Sequence, residues 1–344
     1  MMAIQLEKYR QKKAHKDIVV SLRYSPTGRF LVSADQSGKI IVWPEGRTRG
    51  VRHVRSPYEV LTGVWFSEDE EWLLAGHEGG HLLVYSLPKL KRKAEIRLEP
   101  SCPEGYMLSG TSKTVLNWVV LAVCPSIGSD LYAVLEFRDF FAIRRQDLQV
   151  TNHVHWPGSL IEYTAASSNG RFVFFGDDMS YIYRFHLPEM KLEIFAEHHE
   201  QVPGFSFAKQ QSTMVDASTG IAGLALSCDS KLVASTSRTG GVQIWQTEAE
   251  QRKGGNIREF RPFATREPVR AVWIRGVSFL PESTKLALGT DDGTLEIWNY
   301  SSGQVSHIAK CPASVRSLVA SPDGSQLTVG CEDGSVFLIP WGES

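Results

Sequence analysis

The hairpin in residues 286–304, "LALGTDDGTLEIWNYSSGQ", constrains the fold more than any other feature, because the chain writes it several times. A short apolar alternation runs into an acidic, glycine-containing turn, a second alternation ends on Trp298, and a polar loop follows. "LTVGCEDGSVFLIPW" near the C-terminus and "LVSADQSGKIIVWPEG" near the N-terminus repeat the plan. Period-two alternation on both sides of a tight turn specifies two antiparallel strands. One such sheet cannot hide its own apolar face, so repeated copies must stack on one another.

The second strand of the hairpin reads "KIIVW" to Trp43, "HLLVY" to Tyr85, "FFAIR" to Arg144 and "YIYRF" to Phe185. It then reads "GVQIW" to Trp245, "TLEIW" to Trp298 and "SVFLI" to Ile339, with successive spacings of 42, 59, 41, 60, 53 and 41 residues. Each hairpin follows a further strand and turn, as in "VVSLRYSPTGRF", "IEYTAASSNGRF" and "VRSLVASPDGSQ". Four strands with their turns need about 40–45 residues, the period of one propeller blade. The longer gaps read as the same unit with inserted loops. Helix-period segments are nearly absent, so the chain is expected to be all-β.

"AHKDIVVSLRYSPTGRFLVSADQSGKIIVW" resembles a WD-repeat, the β-transducin-like unit, with His15 lying ahead of Val19, Leu22, Tyr24 and Ser25-Pro26 as in that family. The resemblance runs through seven copies and implies a seven-bladed β-propeller of four-stranded antiparallel blades. Blades 1 to 6 are expected at 15–55, 56–97, 98–156, 157–198, 199–263 and 264–310. The last repeat, 311–344, stops after its third strand, and "AIQLEKYR" precedes the first repeat. Residues 1–14 are therefore expected to supply the outer strand of blade 7 and close the ring, which also covers a sheet edge. The family's turn aspartate corresponds to Asp292 and Asp333, whereas the matching positions elsewhere hold Ser37, Gly79, Arg138, Met179 and Thr239. The family's histidine is clear only at His15. No blade is therefore expected to keep the whole His–Ser–Trp–Asp hydrogen-bond set.

On such a ring, function resides in loops. The loop after Leu98 carries Tyr106 and Met107, an aromatic-Met cluster that either anchors a protein partner or folds back over blade 3. The loop after blade 4 carries Phe205 and Phe207 in "GFSF"; the adjacent His198 and His199 do not converge by local geometry. Trp156 and Trp273 complete the partner-binding candidates, Trp156 serving equally well as a blade-core residue. Basic residues cluster at Arg47, Arg49, Arg52 and Arg55, and again at Lys91, Arg92 and Lys93. With the N-terminal segment these fall on blades 1, 2 and 7 and could form one phosphate-binding rim, or simply keep outer strands from pairing with other chains.

The sequence has no GxSxG, HExxH or GxxxxGK[ST] motif. "GHEGGH" (His77, His81) sits in a hairpin turn, where its spacing does not converge on a metal. No catalytic residue, metal or cofactor is expected. The formal net charge is -1, so the molecule as a whole does not seek nucleic acid. Five cysteines without a CxxC pair suit reduced thiols, and neither an apolar leader nor an apolar run of membrane-spanning length is present. The reading is a cytoplasmic or nuclear interaction scaffold within a multi-protein assembly. A nucleic-acid or anionic-lipid adaptor using the basic rim is the alternative.

Overall fold

The computed structural model describes residues 5–342 apart from 12–13, 45–50, 59, 100–119, 126–129, 136–138, 157–160, 168–169, 178, 188, 199–219, 249–261 and 269–271. Among the described residues the strands form seven antiparallel sheets, six of four strands and one of three. Each sheet pairs its strands in chain order, so every blade is a meander of consecutive hairpins. The innermost strands are Val19–Tyr24, Leu61–Phe66, Val120–Pro125, Ile161–Ala166, Ile221–Leu226, Ile274–Phe279 and Val315–Ala320. Each packs against the inner strand of the next blade, and Val315–Ala320 packs against Val19–Tyr24, which shuts the ring.

The middle strands are buried on both faces, as in Phe30–Asp35 and Phe172–Asp177, whereas outer strands such as Arg52–Arg55 and Lys91–Arg97 are mostly exposed. Burial by sheet-on-sheet stacking explains why the middle strands read as nearly continuous apolar runs. The largest fully buried side chains include Trp298, Tyr85, Phe140, Phe185 and Phe337. Trp298, Tyr85 and Phe185 end hairpin strands that the repeat alignment brings together.

The expected closing strand is replaced by a different device. Leu6–Tyr9 forms a 3-10 turn, followed by a single antiparallel bridge from Arg10 to Phe337 and a bond from Gln11 N–H to Val336 O of 2.8 Å. Leu6 is buried in the core of blades 6 and 7, with Tyr9 packed against it. Side chains three apart share one side of a 3-10 turn, but would point to opposite faces of a strand. Anchoring both thus favours the turn. In blade 5 the outer strand is Ala264–Arg266.

The four-residue hydrogen-bond set is complete in blade 1, contrary to expectation. His15 Nδ1 lies 2.9 Å from Asp35 Oδ2, His15 Nε2 lies 2.8 Å from Ser33 Oγ, and Trp43 Nε1–H donates to Ser33 Oγ at 2.9 Å. The acid is Asp35, the last residue of its strand, rather than the turn position two residues later. Ser37 instead donates to Asp35 Oδ1 at 2.8 Å. Blade 5 keeps three members: His198 Nδ1 lies 2.7 Å from Ser235 Oγ, and Trp245 Nε1–H donates to the same oxygen at 3.1 Å. His198 is therefore part of the blade scaffold.

Candidate interaction site at one end of the ring

Among the described residues, the pairing of six inner strands skips their second residue, which lies at Val20, Thr62, Glu162, Ala222, Arg275 and Arg316. A bulged residue leaves the ladder and its side chain is re-aimed. All six positions lie where the inner strands begin, beside the connections that enter each blade. Backbone bonds tie those connections to the turns between second and third strands. Gln36 N–H reaches Ile18 O at 2.9 Å, Arg238 N–H reaches Gly220 O at 3.1 Å, and Asp291 N–H reaches Trp273 O at 2.9 Å.

Neighbouring blades 6 and 7 put arginine at the bulge. The Arg275 guanidinium carbon lies 4.1 Å from the centre of the Trp273 ring, and that of Arg238, from the blade 5 turn, lies 5.0 Å from it. Arg275 Nη1–H donates to Tyr163 Oη of blade 4 at 3.1 Å. This contact passes blade 5, whose inner strand carries Ala222 and Gly223 at the corresponding second and third positions. A Cβ on Gly223 would stand 2.8 Å from Thr236 Oγ1 and 3.0 Å from the Arg275 carbonyl oxygen, so no larger residue fits without movement. Burial holds the Arg275 pKa below its ordinary value; Tyr163 opposes that shift and the neighbouring Arg316 charge reinforces it. The arrangement offers a cationic, aromatic-backed surface suited to recognition.

Of the residues singled out in the sequence, Trp273 lies in this cluster. Trp156 is half-buried against the core of the adjoining blades, and its indole N–H is buried without an acceptor among the described residues. Tyr106, Met107, Phe205, Phe207, Arg47 and Arg49 lie outside the described residues. Arg52 and Arg55 are exposed on the outer strand of blade 1, and Lys91, Arg92 and Lys93 on that of blade 2. Arg92 is paired with Glu95, and Lys93 Nζ sits 5.1 Å from the Trp72 ring centre. On the blade 7 side, Arg10 is engaged by Glu7, Asp333 and Ser335. His77 is buried beside Ser56 Oγ at 3.0 Å, while His81 stacks on Tyr58 and bonds to Glu95; the Tyr58 ring also lies 5.8 Å from that of His77.

Arg275 and Arg316 were missed because neither stands in a basic run. The signal was present in the repeat alignment, where "IRG" and "VRS" put arginine second in consecutive inner strands. A shallow groove of about 730 Å³ lies at the opposite end of blades 5 and 6, between the turns at Ser227–Asp229 and Pro281–Thr284. It is away from the arginine cluster. Among the described residues no group of His, Cys, Asp or Glu is placed to hold a metal ion, and no helix is long and apolar enough to cross a membrane.

The family model for the WD domain, G-beta repeat (WD40) matches residues 7–44, 268–299 and 303–339. A curated relative, eukaryotic translation initiation factor 3 subunit I of Aspergillus terreus (strain NIH 2624 / FGSC A1156), is 37% identical over 68 residues. That match spans 20% of this chain and 20% of the relative's length. Among solved structures, U3-55K superposes with a TM-score of 0.70 at 15% identity, covering 95% of this chain and 97% of that one. The Cps50 (Swd1) β-propeller domain of Myceliophteria thermophila gives a TM-score of 0.71 at 14% identity, covering 97% and 99%. The RRP9 WD40 repeats give 0.69 at 15% identity, covering 96% of each chain. At these identities the likeness is one of fold. Residues 7–44, 268–299 and 303–339 are thus WD40 repeats, and the chain folds as a seven-bladed β-propeller.

Proposed function

We propose that this protein is a non-catalytic scaffold that holds partner proteins in a larger intracellular assembly, engaging them at the end of the ring where the inner strands begin. The observation that carries this reading is the half-buried Trp273 flanked by the guanidinium groups of Arg238 and Arg275. Tryptophan and arginine are the side chains most enriched among residues that dominate binding energy at interfaces. The rigid ring holds them in place before a partner arrives, which lowers the ordering cost of association. The curated relative is named as a subunit of an initiation factor, in keeping with a scaffold role. Crosslinked affinity capture from the native cell should return a stoichiometric partner with the natural chain and lose it with Trp273→Ala. A partner retained equally by both would remove this site, and no stoichiometric partner at all would remove the scaffold reading.

A second reading rests on Arg52, Arg55, Lys91 and Lys93, exposed on the outer strands of neighbouring blades. In this reading the rim binds a nucleic-acid backbone, with affinity falling steeply as salt rises because counterions are released. Reversal of Arg52 and Lys91 to glutamate should flatten that salt dependence. Absence of any binding at low salt would sink the rim.

A further inference from the structure

Arg275 and Arg316 occupy the same bulged position on adjacent inner strands, and each charge acts on the other. Among the described residues neither forms an ion pair with a carboxylate, and Asp291, whose charge acts on Arg275, is exposed and not bonded to it. Arg275 Nε is buried with no acceptor, while Nη1 is spent on Tyr163. The indole of Trp273 covers the guanidinium face, which leaves the donors along the guanidinium edge. Two arginines cannot relieve their repulsion by losing a proton. A fold that half-buries such a pair with no carboxylate bonded to either is arranged for a charge supplied from outside. Phosphate-type oxyanions match the planar fork of a guanidinium with paired hydrogen bonds.

We propose that Arg275 and Arg316, backed by Trp273, form an oxyanion subsite that takes a phosphate group, either free or carried on a phosphorylated side chain of a partner. Delivery by a partner rests on the scaffold reading above; binding of the anion itself does not. Arg238, whose guanidinium carbon lies 5.0 Å from the centre of the Trp273 ring, steadies the indole.

Calorimetric titration of the full chain at low salt tests this with three probes: inorganic phosphate, a phosphoserine peptide and the same peptide without phosphate. Binding of free phosphate or of the phosphopeptide, with a loss of about tenfold or more in Arg316→Gln, supports the subsite. Whichever of the two probes binds more tightly identifies the source of the anion. Arg316 has no bonded partner among the described residues, so Arg316→Gln should fold and melt no lower than the natural chain. Arg275→Lys keeps the charge but loses the fork, and should weaken binding as well. No binding of either phosphate probe, or equal binding by the natural chain and Arg316→Gln, overturns the proposal. Phosphate binding that persists when partner capture fails would leave the subsite standing and remove the scaffold reading.

Discussion

Ser33 shows how one hydroxyl can order a whole blade. The Trp43 indole N–H can only donate and the Asp35 carboxylate can only accept, so the bonds between them must run in one direction. Ser33 Oγ–H therefore donates to His15 Nε2, and His15 Nδ1–H donates to Asp35. This arrangement needs a neutral imidazole, and burial does lower the His15 pKa despite the opposing pull of Asp35. Ser33→Ala should leave the Trp43 N–H and His15 Nε2 without partners and cost about 3 kcal/mol in denaturant unfolding, at roughly 1–3 kcal/mol for each orphaned group. A loss no greater than that of Ser301→Ala, at an exposed turn, would show that the chain of bonds contributes nothing. The histidine and the tryptophan were legible in the sequence, His15 from its resemblance to the family pattern and Trp43 at the end of its hairpin strand. The acid was not, because side-chain reach rather than repeat position decides that Asp35 closes the set. The repeat alignment carried Arg275 and Arg316 as second residues of their strands, but not the bond from Arg275 to Tyr163, which lies two blades away.

At the level of strands, local periodicity made the hairpins legible, while contacts between blades were not. The residue before the last in the second strand is Gly76, Gly176, Gly289 or Gly330 in four blades, facing the first inner-strand residue of the next blade: Val120, Ile221, Val315 or Val19. The close approach of two sheets leaves no room for a side chain there. A Cβ on Gly289 would meet Val315 Cγ1 at 2.4 Å and Val315 Cβ at 2.8 Å, so the two blades would have to part. Gly289→Ala should lower stability by about 2 kcal/mol, the usual cost of overpacking a filled interface. Gly342→Ala, with nothing within 4 Å, is the matched control. Thermal melts that show no difference between the two would mean the blades adjust freely. The N-terminal segment teaches the complementary lesson. Its apolar residues suggested a strand by position in the repeat plan, but their spacing of three suited a turn that buries Leu6 and packs the half-buried Tyr9 against the same core.

For the whole molecule, the absence of a full outer strand from blade 7 among the described residues shifts the task of closure to the seam between the last and first blades. Val19 packs against Gly330, Ser317 Oγ–H donates to Val19 O at 3.0 Å, and Tyr24 Oη–H donates to Gln326 Oε1 at 2.5 Å. The Tyr24 bond joins residues at opposite ends of the chain, so it forms only when the ring is shut. Burial, which disfavours the phenolate, pushes its pKa from 10.0 up to about 12, with Asp323 adding to the shift and Thr328 opposing it. An unfolded tyrosine loses its proton near pH 10, whereas the folded one holds it until about pH 12. Between those values the folded ring binds more protons than the unfolded chain, so this contribution to stability is present below pH 10 and is lost as pH rises toward 12. Tyr24→Phe should melt below the natural chain at pH 8, having lost a bond across the seam, yet show a shallower decline above pH 10. Parallel alkaline declines in the two proteins would place the seam's stability in apolar packing alone, and Val19→Ala would then be the substitution that opens the ring.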